Sequence, residues 1–168
     1  MQEYVDKLGL NVLFVLNPLT NWDPGDAPVL KAGERFLPNG DKGFQAWKKY
    51  VKAVVERYKD KVHNWMIFNE PADDYKHANQ KSYARLVKIG YKAIKALDPD
   101  ALVSLGGSTS SLKSVEWLDK VLGILKTDWE CTDGCFDIFD YHPYGFMTEY
   151  SATTPKNQDI PTMLIFTG

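Results

Sequence analysis

Short apolar runs alternate with amphipathic segments along this chain, and that alternation constrains its fold more than any other feature. Between residues 44 and 60, apolar side chains recur at the spacing of one helix face, with lysine and glutamate between them. The apolar runs themselves are continuous, as is typical of strands covered by helices. The predicted order is strand 11–18, helix 44–60, strand 65–71, helix 80–97, strand 101–107, helix 115–125, strand 136–145 and strand 161–168. This order predicts an α/β fold, with parallel strands joined by right-handed helical crossovers.

Composition excludes several functional classes. The 168 residues carry a net charge of -2, with 25% charged residues and no break in composition, so we expect a single domain over residues 1–168, or a piece of one. No basic face favours nucleic-acid binding, and no apolar run approaches the roughly 18 residues of a membrane span. The first residues do not resemble a signal peptide, although secretion remains compatible with the sequence. We expect neither a cofactor nor a metal site.

Cys131 and Cys135 flank Thr-Asp-Gly in a loop-like segment. The spacing allows a small disulfide loop in an oxidising compartment, but two free thiols fit the sequence equally well. A zinc site would need further ligands nearby, and the sequence has none there. The disulfide and the free thiols therefore both stay open.

The segment from Trp65 to Pro71 is the strongest candidate for chemistry. Its apolar run ends abruptly in Asn69, Glu70 and proline, so polar groups follow where a buried strand must surface. Pro71 has no backbone N–H and disfavours the α conformation at Glu70, which ends the strand there. Catalytic groups of parallel α/β barrels collect at this end of the strands. We therefore expect Glu70 at the rim of the sheet.

Gly106 and Gly107 end the strand at 101–107. Because glycine has no Cβ, this pair allows a tight turn or a close approach of the backbone to a neighbour at the rim. A phosphate-binding loop is the more specific interpretation of the pair, but neither the G-x-G-x-x-G nor the P-loop pattern is present.

Two strand ends resemble the retaining (β/α)8-barrel glycoside hydrolases, the clan that includes many cellulases, xylanases, mannanases and β-xylosidases. The resemblance rests on W-x-I-x-N-E-P at residues 65–71, on F-D-x-x-x-x-H-P-Y-G at residues 136–145, and on the long helix before the first motif. It implies an incomplete TIM-barrel-like array of about five strands, equivalent to the third through seventh of the barrel. A complete barrel needs about 250 residues, so two sheet edges would stay open for a second copy of the chain to bury.

The resemblance also implies roles for particular side chains. Glu70 would be the general acid/base, because a glycosidic oxygen leaves poorly unless it is protonated. Asn69 would bind the sugar hydroxyl next to the reacting carbon. Trp22, in the long loop from residue 19 to 43, would either stack on a sugar ring or pack beneath that loop. The substrate-binding candidates are Asn69, His142, Tyr144, Trp22 and Asn17.

The second carboxylate of such an enzyme is missing from its expected place. A retaining glycosidase needs a nucleophilic carboxylate roughly 5 Å from the acid. The resemblance places it in the last predicted strand, where Phe166 stands instead. A truncated or frameshifted chain, a short protein completed by a second copy, and a sugar-binding protein without catalysis each fit this departure. Replacement carboxylates would come from a partner chain or from Asp73, Asp74, Asp140 or Glu149.

Three functional hypotheses follow. The leading one is a glycoside hydrolase that acts on β-linked glycans or short β-glycosides through Glu70. The second is a catalytically inactive carbohydrate-binding barrel fragment, which Phe166 motivates. The third is an α/β domain in which Asn-Glu-Pro only caps a strand.

Overall fold

A sheet of four parallel strands forms the centre of the computed structural model, which describes residues 7–17, 37–74, 79–109 and 112–142. The strands lie side by side in chain order: β1 (Leu13–Leu16), β2 (Asn64–Ile67), β3 (Leu102–Thr109) and β4 (Ile138–His142). The helices are α1 (Gly40–Tyr58), α2 (Pro71–Asp74), α3 (Gln80–Leu97) and α4 (Leu112–Thr127), followed by a 3-10 turn at Trp129–Cys131. This architecture confirms the predicted parallel α/β array. The strand predicted at 161–168 lies outside the described residues.

One face of the sheet packs against the helices and forms the core. Tyr58 of α1 stacks on Phe14 of β1 with ring centroids 5.6 Å apart, and Gly90 of α3 lies against Ile67 of β2. Residues that pair in register across β1, β2 and β3 point to the same face of the sheet. Two such rows face the helices, and their members are Phe14, Trp65 and Val103 in one row and Leu16, Ile67 and Leu105 in the other. Burying each large apolar side chain stabilises the fold by about 1.5–3 kcal/mol.

Trp47 connects two of the helices through this core. Its side chain is fully buried, and its Nε1–H donates a hydrogen bond to the carbonyl oxygen of Leu86 over 2.9 Å. The indole therefore fills the space between α1 and α3 without leaving its polar atom unsatisfied. Among the described helices, none is long and apolar enough to cross a membrane.

Asp137 fixes the start of β4 against β3. One of its carboxylate oxygens accepts a hydrogen bond from the backbone N–H of Val103 over 2.8 Å and pairs with Lys95 of α3 at 3.0 Å. Its own backbone N–H donates to the carbonyl of Val103 over 2.7 Å. These contacts set the alignment of the two strands below the rim.

Cys131 and Cys135 form a disulfide, which resolves the alternative that the sequence left open.

Lys88 of α3 pairs with Asp128 at 3.0 Å and with Glu130 at 2.8 Å. All three of these charged side chains are partly buried, so the pairs are less screened by solvent than ordinary surface pairs. The segment between α4 and β4 is thus joined to α3.

A short helix follows β2 at Pro71–Asp74. Proline suits the first position of a helix because its φ is already helical and its missing N–H has no intrahelical partner there. Pro71 therefore begins α2, whereas β2 has already ended at Ile67. The helix predicted at 80–97 has the expected bounds, whereas the one predicted at 44–60 begins earlier, at Gly40, and ends at Tyr58.

The ends of β2 and β3 approach each other closely at Gly106. A Cβ on Gly106 would lie 2.5 Å from the carbonyl oxygens of both Ile67 and Phe68. The hydroxyl of Tyr83, a fully buried α3 residue, donates to Ile67 O over 3.1 Å and accepts from Gly106 N over 3.2 Å. The expectation that the glycine pair permits a close backbone approach is therefore confirmed.

Alanine substitutions at Gly106 and at Gly123 should have opposite effects on the free energy of unfolding. Gly106→Ala should destabilise the fold by about 1–3 kcal/mol, because the new methyl group meets two backbone carbonyls that cannot rotate away. Gly123→Ala is the matched control: a Cβ at this exposed α4 position has no neighbour within 4 Å, so alanine should stabilise by about 0.5–1 kcal/mol. Urea unfolding measures both changes, and effects of the same sign would contradict the prediction.

Candidate active site

The chain turns sharply where β2 ends, and this turn sets the position of Glu70. Phe68 and Glu70 have φ angles of 65° and 44°, in the left-handed region that non-glycine residues rarely adopt. Such a conformation costs on the order of 1–3 kcal/mol per residue and persists only where the surroundings enforce it. Here the fully buried Phe68 ring packs between Trp47 and Tyr83, with centroids 5.0 and 5.5 Å away. Burial of this ring therefore holds the turn that presents Glu70.

Asn17 joins the ends of β1 and β2. Its side-chain oxygen accepts a hydrogen bond from the backbone N–H of Asn69 over 3.3 Å, and the N–H of Phe68 donates to the carbonyl of Leu16 over 3.1 Å. Asn17 and Asn69 are both partly buried. The two amide residues thus lie together at the carboxyl edge of the sheet.

Glu70 and His142 meet across the top of β3. Oε1 of Glu70 lies 2.7 Å from Nδ1 of His142, and the two side chains are only 14% and 22% exposed. Partial burial strengthens such a charged contact relative to one in open solvent. The contact links the end of β2 to the end of β4, so the intervening strand must leave room for it.

Gly107 of β3 provides this room. A Cβ on Gly107 would collide with the imidazole ring of His142. The register between β3 and β4 also slips here: Leu105 pairs with Phe139, but Ser108 pairs with Tyr141, which leaves one extra residue in β3. A β-bulge of this kind redirects neighbouring side chains at the rim of a sheet.

Asp140 contacts the other ring nitrogen of His142. Its Oδ2 lies 3.3 Å from His142 Nε2, and its side chain is 25% exposed. Asp140 and His142 are two positions apart in β4, so they point to the same side of the strand. Burial lowers the pKa of His142, but the hydrogen bond to Glu70 and the charges of Asp140 and Glu70 outweigh it, so the net pKa is raised.

The structure brings together four of the six residues predicted to act in catalysis or substrate binding. Asn17, Asn69, Glu70 and His142 follow or end three different strands and lie at the same edge of the sheet. Trp22, Tyr144, Glu149 and Phe166 lie outside the described residues, as do the side chains of Asp73 and Asp74. Within the described ranges, no group of three or more histidine, cysteine, aspartate or glutamate side chains could hold a metal ion.

Asp140 is the residue whose position the sequence analysis missed. The sequence indicates Asp140 only as a candidate replacement carboxylate, whereas the structure places it against the ring of His142. The signal was the D-x-H spacing in a predicted strand, because residues two apart share a face. A carboxylate beside an imidazole, both partly buried, is an arrangement that can hold a proton and release it.

Comparison with known proteins relates the chain to glycoside hydrolases. It is 31% identical over 90 residues to a beta-xylosidase of Geobacillus stearothermophilus, a match that includes 48% of this chain and 18% of that enzyme. No protein-family model matches the sequence. The sequence relationship is thus to a glycoside hydrolase, over part of both chains.

A solved glycoside hydrolase structure has a fold similar to that of this chain. A family 39 glycoside hydrolase from Bacteroides cellulosilyticus WH2 superposes with a TM-score of 0.64 and 22% identity, over 84% of this chain and 27% of that one. A monomeric beta-xylosidase from Caulobacter crescentus CB15 gives a TM-score of 0.47 and 24% identity, over 65% of this chain and 22% of that one. The four-stranded array therefore resembles part of the barrel-like fold of the family 39 enzyme. The chain spans less than a third of the length of each protein in this comparison.

The raised pKa of His142 predicts how its contribution to stability depends on pH. Because the folded-state pKa lies above the ordinary value of about 6.5, the contribution is complete below that value and is lost as pH rises through the folded-state pKa. The difference in unfolding free energy between the wild type and His142→Gln should therefore shrink as the pH rises above about 6.5. Urea titrations across this range measure it.

His63→Gln is the control for this pH series. The His63 side chain is 59% exposed and pairs with Asp98, so solvent screens this contact. A His142 contribution that stays constant with pH, or grows toward alkaline pH, would contradict the assignment of a charged contact.

Proposed function

We propose that this chain has the activity of a glycoside hydrolase that cleaves β-linked glycans or short β-glycosides, with Glu70 as its general acid/base. The observation that carries the proposal is the position of the Glu70 carboxylate, which is 14% exposed, at the carboxyl edge of the sheet, and 2.7 Å from the His142 ring. The relationship to a beta-xylosidase supports this class of substrate and makes β-xylosides the first compounds to test.

The chemistry of glycoside hydrolysis needs a proton donor at this kind of position. A glycosidic oxygen becomes a good leaving group when a carboxylic acid protonates it as the bond to the sugar carbon breaks. The resulting carboxylate can then accept a proton from the water that adds to the sugar. Glu70 has the partial burial that favours proton exchange with a bound substrate over exchange with bulk water.

The amide residues at the same edge fit sugar recognition. Asn69 is next to Glu70 in the chain, and Asn17 holds its backbone in place through the 3.3 Å hydrogen bond. An asparagine side chain offers both a donor and an acceptor, which matches a sugar hydroxyl. Tyr144 and Trp22 complete the proposed set of substrate-binding residues.

A second carboxylate is needed to complete the reaction. It would act as a nucleophile if the two carboxyl groups are about 5–5.5 Å apart, or as a base toward water if they are about 6.5–9.5 Å apart. Because Phe166 stands where the clan has its nucleophile, this group would come from another acidic residue or from a second copy of the chain.

A second candidate function is carbohydrate binding without turnover. Phe166 favours it, because phenylalanine cannot attack a sugar carbon. The residues at the rim would then bind sugars through hydrogen bonds and aromatic stacking, and Glu70 would serve as a hydrogen-bond acceptor.

Replacement of Glu70 separates these functions. Glu70→Gln keeps the size of the side chain but cannot donate an acidic proton, so kcat/KM for xylobiose should fall by at least about 10²-fold. The loss should be smaller for an aryl β-xyloside with a good leaving group, since that bond needs less protonation. Glu116→Gln, at an exposed position of α4, is the matched control and should leave both rates unchanged.

Catalysis and binding without turnover predict different outcomes of this experiment. A loss of less than tenfold with xylobiose would refute the role of Glu70. Calorimetric binding of xylo-oligosaccharides by a wild-type protein that releases no xylose would favour the carbohydrate-binding function. Equal losses for both substrates would point to a structural effect of the substitution, and unfolding curves would detect it.

A further inference from the structure

The ring of His142 lies between two carboxylates. Nδ1 is 2.7 Å from Glu70 Oε1, and Nε2 is 3.3 Å from Asp140 Oδ2. A neutral imidazole carries one N–H, whereas an imidazolium donates from both nitrogens. Ionised carboxylates only accept hydrogen bonds, so both contacts are satisfied together when His142 is cationic.

Asp140 is placed to act on Glu70 through this ring. It precedes His142 by two residues on the same face of β4, so it lies below the rim at which Glu70 and His142 meet. On the β3 side, Gly107 lies against the ring and has no side chain to replace either carboxylate. Among the described residues, Glu70 from the end of β2 and Asp140 from β4 place carboxylates against the two nitrogens of the His142 ring.

We propose that Asp140 is a positioning residue for proton transfer at Glu70: it holds His142 as an imidazolium whose Nδ1–H stabilises the ionised form of Glu70. This inference rests on the proposed glycoside hydrolase function. It assigns Asp140 a role other than that of nucleophile or base, because the imidazole ring lies between its carboxylate and that of Glu70.

The proposal has a defined place in the reaction. As the glycosidic bond breaks, its electron pair stays on the leaving oxygen, which takes the proton from Glu70. The carboxylate that remains faces a cation, so the donation is easier than it would be beside a neutral ring. Water later supplies a hydroxyl group to the sugar and a proton to Glu70, which until then is the carboxylate paired with His142.

The raised pKa of His142 agrees with this geometry. Burial alone would favour the neutral ring, yet the hydrogen bond to Glu70 and the charges of Asp140 and Glu70 together shift the balance to the cation. Removing one of the two carboxylates should therefore return the ring toward its neutral form.

The experiment compares Asp140→Asn with Asp140→Glu and with Asp119→Asn, which removes the same charge from an exposed position of α4. Nitrogen-15 NMR follows the protonation of the His142 ring against pH, with its signals identified by their loss in His142→Gln. Asp140→Asn should weaken proton binding by the ring at least about tenfold, while Asp140→Glu should retain most of it and Asp119→Asn all of it. An Asp140→Asn titration identical to that of Asp119→Asn would overturn the proposal.

The wild-type protein supplies a second test that does not depend on the folding of a variant. At about pH 6.5 an ordinary imidazole is half protonated, so the His142 ring should be mostly imidazolium there. A mostly neutral ring at that pH would overturn the proposal even if Asp140→Asn failed to fold.

Steady-state kinetics test whether the charge of the His142 ring affects the reaction. With xylobiose, Asp140→Asn should lower kcat about tenfold or more and leave KM nearly unchanged, and Asp140→Glu should restore most of the rate. An unchanged kcat in Asp140→Asn would overturn the link to Glu70. If Glu70→Gln itself has no effect on turnover, the proposed function fails, whereas the NMR titration still decides whether Asp140 controls the charge of His142.

Discussion

The close contact between β2 and β3 at their carboxyl ends is the constraint on which the candidate site depends. Gly106 lies against the carbonyl oxygens that end β2, and the buried hydroxyl of Tyr83 bridges the same two strands. Gly107, the next residue, leaves the space that the ring of His142 occupies. Because two successive positions of β3 have no side chain, a histidine from β4 can reach across that strand to Glu70.

Local patterns explain why much of the fold could be predicted from the sequence. Helix α3 and the buried run of β2 follow from the spacing of apolar residues, which depends only on near neighbours in the chain. The place of Glu70 at a strand end follows from the polar residues and the proline after that run. The pairing of Glu70 with His142 joins residues 72 positions apart, and only the resemblance to glycoside hydrolases connected them in advance.

Tertiary packing explains the features of the site that could not be predicted from the sequence. The left-handed turn at Phe68 exists because its ring is buried between Trp47 and Tyr83, and no local preference of phenylalanine indicates it. The contact of His142 with Glu70 needs the space at Gly107 and coincides with the slip in register between β3 and β4. The contacts most relevant to chemistry therefore arise from the way in which several ordinary segments meet.

The left-handed backbone at Glu70 has a consequence for which residues suit this position. At a φ of 44°, glycine or asparagine would adopt this backbone with less conformational strain than glutamate does. The strain is thus the conformational cost of having a carboxylate, rather than glycine or asparagine, between β2 and α2.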